Sequence, residues 1–196
     1  MKKNLLMMVI GVLLVAAMIS GCAAPAAPAA PADDAAAEEA PAEEAAAEEA
    51  IYIPVISKGF QHQFWQAVQK GAEQAAADYE VEITFEGPET EAMVDKQVEM
   101  MQTALDKNPA AIALAALDSQ ALIPLLQKAQ EAGIPVVGFD SGVDSDIPVT
   151  TAATDNVAAA AMAADKMAEM IGGSGKVAVI VHDQTSRTGI DRRDGF

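Results

Sequence analysis

The sequence predicts an α/β fold from residue 51 onward, built as a doubly wound parallel sheet. Short apolar segments rich in β-branched residues alternate with longer segments whose apolar residues recur every three or four positions. One short segment, 110–116, is apolar throughout, which is typical of a strand covered by helices on both faces. Ligands bind outside the carboxyl ends of the strands in such sheets. The residues that follow the first, third, fourth, fifth and sixth strands are therefore the candidates for a site.

The first four elements follow from the spacing of apolar residues. Residues 51–56 form an apolar run and predict a buried strand, and residues 81–85 predict the second strand. Between them, 63–79 predicts a helix, because its apolar residues are three and four positions apart. The next helix is predicted at 91–105. Its inner face carries Met93, Val94, Val98, Met101 and Leu105.

The middle of the chain continues the alternation. After the strand at 110–116 we expect a helix at 119–132, which Asp118 or Ser119 caps and Gly133 ends. Three further elements are predicted in order: strands at 134–139 and 147–152, and a helix at 157–171 with Asp155 and Asn156 as candidate caps.

A sixth strand is predicted at 176–181, and a helix begins after it. The Gly-Gly-Ser-Gly-Lys segment at 172–176 has the composition of a phosphate-binding loop, but it follows a helix and precedes a strand, which is the wrong order for one. We interpret it as the end of a helix and a loop. With no glycine-rich fingerprint after the first strand, two distant histidines and one cysteine, we expect no cofactor and no metal site.

The N-terminal residues 1–21 have the pattern of a signal peptide. Lys2 and Lys3 precede an apolar stretch, 5–17, which is shorter than the about 20 residues that span a bilayer. Small residues then precede Cys22, the single cysteine of the chain. The segment resembles the lipobox of bacterial lipoproteins, which implies that Cys22 is the lipid attachment site. The alternatives are an ordinary secretory signal with an incidental cysteine, and a transmembrane anchor.

Residues 22–50 are predicted to be a disordered tether. After Cys22 this segment contains only Ala, Pro, Asp and Glu, so it has no side chains that could form a core. Eight of its residues are acidic and none is basic, so it carries about half of the net charge of −17. The remaining domain is moderately acidic and has no basic stripe, which argues against a nucleic-acid partner.

Aromatic residues concentrate after the first strand. Three of the eight aromatics of the chain, Phe60, Phe64 and Trp65, lie within six positions, among polar residues that include Lys58 and His62. Flat apolar rings combined with convergent polar groups suit a sugar, whose C–H face stacks while its hydroxyls form hydrogen bonds. The alternative is structural: Phe64 packs in the core and Trp65 covers the start of the helix.

Charged residues follow the fourth and sixth strands. Asp140 is suited to accept hydrogen bonds from two vicinal hydroxyls, although it could instead cap a turn. After the sixth strand come His182 and Asp183, then Arg187, Arg192 and Arg193. One arginine directed at a cleft could bind ligand oxygens in a bidentate manner. The alternative for each arginine is a surface ion pair.

These segments resemble the type I periplasmic sugar-binding proteins, the ribose-binding-like substrate-binding proteins of ABC importers. The resemblance covers 51–196 and rests on four groups of residues: 58–65 with Gly71-Ala72, 133–137 with Asp140, Thr154-Asp155-Asn156, and Arg192 with Gly195-Phe196. It implies two α/β lobes that close around a sugar. Residues 51–153 would be the N-terminal lobe, and 154–196 would be only the start of the C-terminal lobe, so that the chain is expected to be truncated.

The resemblance also implies roles for single residues. Phe64 and Trp65 match the aromatics that sandwich the sugar ring, Asp140 matches the carboxylate that binds hydroxyls, and Arg192 matches the arginine of the second lobe. Lys58 and His62 fall at positions that often line the pocket. Ser141 stands where ribose binders carry an arginine, which argues against ribose itself. The ligand-binding residues that we expect are Lys58, Phe60, His62, Phe64, Trp65, Asp140 and Arg192.

The resemblance implies a substrate-binding component of an ABC importer that captures a sugar or sugar-like solute by lobe closure. It would be a binding protein and not an enzyme, a monomer, lipid-anchored outside the cytoplasm, with ABC permease subunits as partners. The alternative is a sensing protein of the same fold that presents its sugar to a chemoreceptor or sensor kinase. An enzyme on a doubly wound fold is a third hypothesis.

Overall fold

The computed structural model of the protein describes residues 50–196. The predictions for the signal peptide, for Cys22 and for all but the last residue of the tether lie outside the described residues. The described part contains one all-parallel sheet with the strand order β2-β1-β3-β4-β5. Its strands are β1 (Tyr52–Ile56), β2 (Glu82–Glu86), β3 (Ile112–Leu114), β4 (Val136–Phe139) and β5 (Thr150–Ala152). Its helices are α1 (Gln63–Asp78), α2 (Val94–Asp106), α3 (Ile123–Glu131), α4 (Asn156–Met170) and α5 (Arg187–Gly195).

The order of the strands confirms the doubly wound sheet. The chain passes from β1 to β2 in one direction and then returns past β1 to β3, β4 and β5. Because crossovers between parallel strands are right-handed, this reversal puts α1 on one face of the sheet and α2 and α3 on the other. The reversal opens a crevice at the carboxyl ends of β1 and β3, which is where such sheets bind ligands.

The main core lies between the sheet and the helices α2 and α3. Met101, Leu126 and Ala129 are fully buried there against Ile112 and Val136 of the central strands. The predicted apolar face of 91–105 contributes Met101 to this core, with Val98 and Leu105 packed at its edge. The periodic apolar pattern therefore identified the helix and part of the face that it buries, but Met93, which was predicted for the inner face, precedes the helix and is 40% exposed.

A buried glutamine fixes the carboxyl ends of β1 and β3. Gln97 of α2 donates hydrogen bonds through Nε2 to the carbonyl oxygens of Ser57 (2.9 Å) and Ala115 (2.8 Å). Its Oε1 accepts from the backbone N–H of Leu117 at 2.8 Å. Because both ends of the side-chain amide are hydrogen-bonded, its burial costs little. The residues that follow both strands are thereby held in place.

Two helices begin later than predicted. Residues 91–93 form a turn, in which the Met93 N–H donates to the Thr90 carbonyl at 3.2 Å, and α2 starts at Val94. Asp118 does accept backbone hydrogen bonds, but it caps the turn that precedes α3. Gly133 ends that helix segment as expected, with a φ of +71° that favours glycine.

The predicted sixth strand at 176–181 is wrong. No strand of the described sheet pairs with it, and β5 pairs only with β4. A β-strand needs a neighbour to complete its backbone hydrogen bonds, and Val177, Val179 and Ile180 of this segment stay exposed, with Ile180 at 97%. In the part of the chain that the structure describes, no helix has both the length and the apolar character required to cross a membrane.

One of the two predicted caps of α4 is also corrected. Asp155 is the cap, because its Oδ1 accepts from the Ala158 N–H at 2.9 Å. Asn156 is already inside the helix and is buried. Its Oδ1 accepts from Nε of Arg192 at 2.8 Å, which links α4 to α5.

Candidate functional site

A cleft of about 820 Å³ lies at the carboxyl end of the sheet. Its walls come from the β1–α1 loop and the start of α1, the β2–α2 loop and the start of α2, the end of β4, the segment before α5, and α5 itself. The volume is within the range of small-molecule sites, and the position is the one that the topology predicts.

Six of the seven predicted ligand-binding residues line this cleft. They are Lys58, His62, Phe64, Trp65, Asp140 and Arg192. Phe60 does not line it. Phe60 lies in the loop before α1, is 45% exposed, and borders a neighbouring depression of about 370 Å³. Its position in that loop, before the first turn of the helix, separates it from the two aromatics that the helix carries into the cleft.

The two aromatic rings of α1 have different environments. His62 caps the helix, since its Nδ1 accepts from the Phe64 N–H at 3.1 Å, and this places Phe64 and Trp65 in the first turn. Trp65 is 2% exposed, whereas Phe64 is 46% exposed. Their centroids are 4.8 Å apart and their planes cross at 78°, so they form an edge-to-face pair and not two parallel plates. The Phe64 ring is therefore accessible to a ligand, and the buried Trp65 ring packs against it.

Lys58 forms the floor of the cleft. The residue is only 2% exposed, and a buried ammonium requires partners. Its Nζ lies 3.3 Å from Oγ1 of Thr188, 3.5 Å from Oε2 of Glu91 and 3.9 Å from Oδ2 of Asp183. The lysine therefore connects the end of β1 with the β2–α2 loop and with the segment that enters α5.

Asp140 presents an unfilled carboxylate. Its φ of +55° places it in the left-handed region, and its backbone N–H donates to the Ala152 carbonyl at 2.9 Å. No side-chain or backbone donor among residues 50–196 reaches its carboxylate oxygens within hydrogen-bond distance. Burial raises the pKa of Asp140 above the ordinary 3.8, against the opposing charges of Lys58 and Arg192. The carboxylate thus keeps its capacity to accept hydrogen bonds.

The structure distinguishes the three candidate arginines. Arg187 pairs with Asp191 and, at 3.1 Å, with Asp144, while Arg193 pairs with Asp194 at 2.7 Å. Surface ion pairs therefore account for these two. Arg192 lines the cleft, and its Nε donates to Asn156. Across the described residues, its terminal nitrogens face no carboxylate within ion-pair distance, so they are open to a ligand.

Eight further residues line the cleft that the sequence did not single out as ligand-binding. Three belong to the β2–α2 loop and one, Val94, is the first residue of α2. They were missed because the sequence pattern directed attention to the ends of other strands and placed Glu91 in a helix. Four belong to the segment around the start of α5, where His182 and Asp183 follow the predicted sixth strand. The eight are Thr90, Glu91, Ala92, Val94, His182, Asp183, Thr185 and Thr188.

Asp183 organises the segment that leads into α5. Burial alone would raise the pKa of its carboxyl, but hydrogen bonds from the side chain and backbone of Ser186 and from the Thr185 N–H outweigh burial and hold the pKa below its ordinary value. His182 Nε2 lies 2.7 Å from the same carboxylate. Within residues 50–196, no group of three or more His, Cys, Asp or Glu side chains is arranged to hold a metal ion.

Comparison with known proteins agrees with the fold. The family model for the periplasmic binding protein domain matches residues 52–196 of this chain. The chain belongs to the periplasmic binding protein family. Among curated relatives, the D-allose-binding periplasmic protein of Escherichia coli K12 is 28% identical over 149 residues, which is 72% of this chain and 48% of that protein. The chain spans about half the length of the curated relatives that it matches.

Solved periplasmic binding proteins have the same fold. A solute-binding protein of an ABC transporter from Agrobacterium vitis, solved with bound D-fucose, is 40% identical with a TM-score of 0.71, and the match covers 74% of this chain and 51% of that one. A sugar transporter from Clostridium phytofermentans is 32% identical with a TM-score of 0.70, over 75% of this chain and 55% of that one. This periplasmic binding protein chain thus has relatives described as sugar transport proteins.

Proposed function

We propose that this chain is the substrate-binding component of an ABC importer and that it captures a neutral sugar or sugar-like solute outside the cytoplasmic membrane. Binding proceeds by closure of two lobes, and no covalent bond forms or breaks. The single observation that carries the proposal is the cleft itself, in which an accessible aromatic ring, an unfilled carboxylate and an arginine with free terminal nitrogens converge. The sugar-bound and sugar-transport relatives support it.

The charges in the cleft favour a neutral ligand. Lys58 is already paired with Glu91 and Asp183, which leaves Asp140 and Arg192 as the charged groups with unused hydrogen-bonding capacity. They are opposite in sign, and the charge of Arg192 acts on the pKa of Asp140. A phosphorylated or carboxylated sugar would face Asp140 and Glu91 with only one free cation among the described lining residues. Vicinal hydroxyls can donate to Asp140 and accept from Arg192 without any unpaired charge.

The arrangement of the cleft supports a division into two lobes. In this proposal residues 51–153 form the N-terminal lobe and residues 154–196 belong to the C-terminal lobe. Asp140 and Phe64 would reach the ligand from the first lobe, and Arg192 from the second. The proposal also includes a lipid anchor at Cys22 and a tether over 22–50, which would hold the binding domain near its permease.

Isothermal titration of the purified protein tests this function. The panel contains D-allose, D-ribose, D-fucose and D-arabinose as neutral sugars, with D-glucuronate and ribose 5-phosphate as charged analogues. We expect saturable binding of at least one neutral sugar and at least tenfold weaker binding of both charged analogues. Absence of saturable binding across a widened panel of neutral aldoses and ketoses, or preference for a charged analogue, would refute the proposal.

A further inference from the structure

Glu91 connects two residues of the cleft through the two oxygens of one carboxylate. Its Oε1 accepts a hydrogen bond from Nε1 of Trp65 at 2.8 Å. Its Oε2 lies 3.5 Å from Nζ of Lys58. Both partners are almost fully buried, whereas the Glu91 side chain is 43% exposed at the wall of the cleft. The carboxylate thus faces the ligand space while it holds the groups behind it.

Both buried partners need an acceptor at this place. A buried indole N–H without a partner costs the full desolvation of the donor, and a buried ammonium costs more. Among the described residues, the other carboxylate within ion-pair distance of Lys58 is that of Asp183, at 3.9 Å. Hydrogen bonds from Thr185 and Ser186 already occupy Asp183. Glu91 is therefore the closest carboxylate to the ammonium and the acceptor for the indole.

Close packing of the β2–α2 loop against the β1–α1 loop places Glu91 at this position. A Cβ on Gly87 would lie 2.9 Å from the carbonyl oxygen of Gly59, so the β2–α2 loop contacts the β1–α1 loop at a distance that only glycine allows. The turn that joins the Met93 N–H to the Thr90 carbonyl then directs Glu91 toward the cleft before α2 begins.

We propose that Glu91 is a positioning residue: its carboxylate fixes the Trp65 indole and the Lys58 ammonium, so that the aromatic wall and the floor of the cleft are in place before a ligand enters. A preset site loses less conformational entropy when it binds. The effect on ligand affinity rests on the proposed function above, but the contact with the indole does not.

The single tryptophan of the chain makes the contact measurable without a ligand. In ¹⁵N-labelled protein, Trp65 gives one indole N–H resonance, and a hydrogen bond to a carboxylate moves that proton downfield. Glu91→Gln keeps an acceptor oxygen but removes the charge that faces Lys58, whereas Glu91→Leu removes both. We expect a graded upfield shift, small for Glu91→Gln and larger for Glu91→Leu, together with at least tenfold weaker binding of the best sugar for Glu91→Leu.

Glu89→Gln is the matched control, because Glu89 lies in the same loop, is exposed, and forms no side-chain hydrogen bond or ion pair within the described residues. It should leave the indole resonance and the affinity unchanged. An indole resonance in Glu91→Leu equal to that of the wild type would overturn the contact. A shifted resonance with unchanged affinity would overturn the positioning role. If Glu91→Leu fails to fold, an unshifted resonance in Glu91→Gln together with wild-type affinity overturns the proposal.

The two proposals can fail separately. If the wild-type protein binds no sugar, the proposed function fails, while the resonance comparison in the ligand-free protein still decides whether Glu91 holds the indole.

Discussion

Replacement of Asp140 by asparagine should weaken sugar binding and stabilise the ligand-free protein at the same time. Asparagine keeps the size of the side chain and tolerates the φ of +55° at this position, where alanine would be strained. The substitution therefore removes the charge without disturbing the backbone. Affinity falls while stability rises because the carboxylate that binds the ligand is costly to bury when no ligand is bound.

The loss of affinity can be estimated from the hydrogen bonds of the carboxylate. No donor among the described residues occupies the Asp140 oxygens, so in the proposed complex ligand hydroxyls bind both. Asparagine can still accept one of these bonds, and the loss is one charge-assisted hydrogen bond of about 1.5–3 kcal/mol. This corresponds to about 10- to 150-fold weaker binding of the best sugar.

The effect on stability follows from the direction of the pKa. Burial raises the pKa of Asp140 above 3.8, so the folded state holds this proton at pH values where the unfolded chain has released it. The unfolding free energy of the wild type therefore falls as pH rises through the interval between the unfolded and the folded pKa. Asparagine does not titrate, so the unfolding free energy of Asp140→Asn does not fall for this reason as pH rises. We expect its melting temperature to exceed that of the wild type at pH 7, and the difference to shrink as pH falls toward 3.8.

Calorimetric titration and thermal melts at pH 4 and pH 7 measure both effects. Asp146→Asn is the matched control, because Asp146 is an exposed carboxylate with no side-chain hydrogen bond or ion pair in residues 50–196. Wild-type affinity in Asp140→Asn would remove Asp140 from the ligand site. A lower melting temperature than the wild type at pH 7 would refute the electrostatic reasoning.

Three further substitutions test the packing of the cleft, its acid stability and the membrane anchor. Trp65→Ala removes a ring that is 2% exposed, so the unfolding free energy measured in urea should drop by about 3–5 kcal/mol. The binding free energy of the best sugar should weaken by about 1–3 kcal/mol. A drop in the unfolding free energy below about 1 kcal/mol would contradict the burial of this ring. The pKa of Asp183 is lowered, so its contribution to stability is present above pH 3.8 and is lost as pH falls through the folded pKa. Asp183→Asn should therefore reduce the fall of the melting temperature at acidic pH. An unchanged fall would argue against the role of its hydrogen bonds. Cys22→Ser should release the protein from the membrane fraction, and continued retention would defeat the proposed lipid anchor.

The spacing of apolar residues was sufficient to predict the sheet and the helices that cover it. The helix at Gln63–Asp78 depends on local sequence and was predicted to within one residue, and Asp155, one of the two candidate caps, is the cap of α4. The segment 176–181 has the composition of a strand, but a strand also requires a partner, and the partner is a tertiary property. Local pattern could not reveal that this segment remains unpaired in the described sheet.

The site was predictable where residues follow a strand directly. Asp140 and Lys58 occupy such positions, and the cleft includes both. Glu91 was missed because its role depends on where α2 begins, and a shift of three residues separates a helical position from the wall of the cleft. The resemblance singled out Arg192, but the order of residues alone did not distinguish it from its neighbour Arg193. The contact that holds Arg192 is with Asn156, which lies 36 residues earlier in the chain.

A crystal structure of the protein saturated with its best-binding sugar would test the proposed sugar site most directly. We expect one sugar in the cleft, with a C–H face against the ring of Phe64 and hydroxyls within hydrogen-bond distance of Asp140 and of the terminal nitrogens of Arg192. A sugar bound elsewhere, or bound in the cleft without contact to Asp140 or Arg192, would contradict the proposed site.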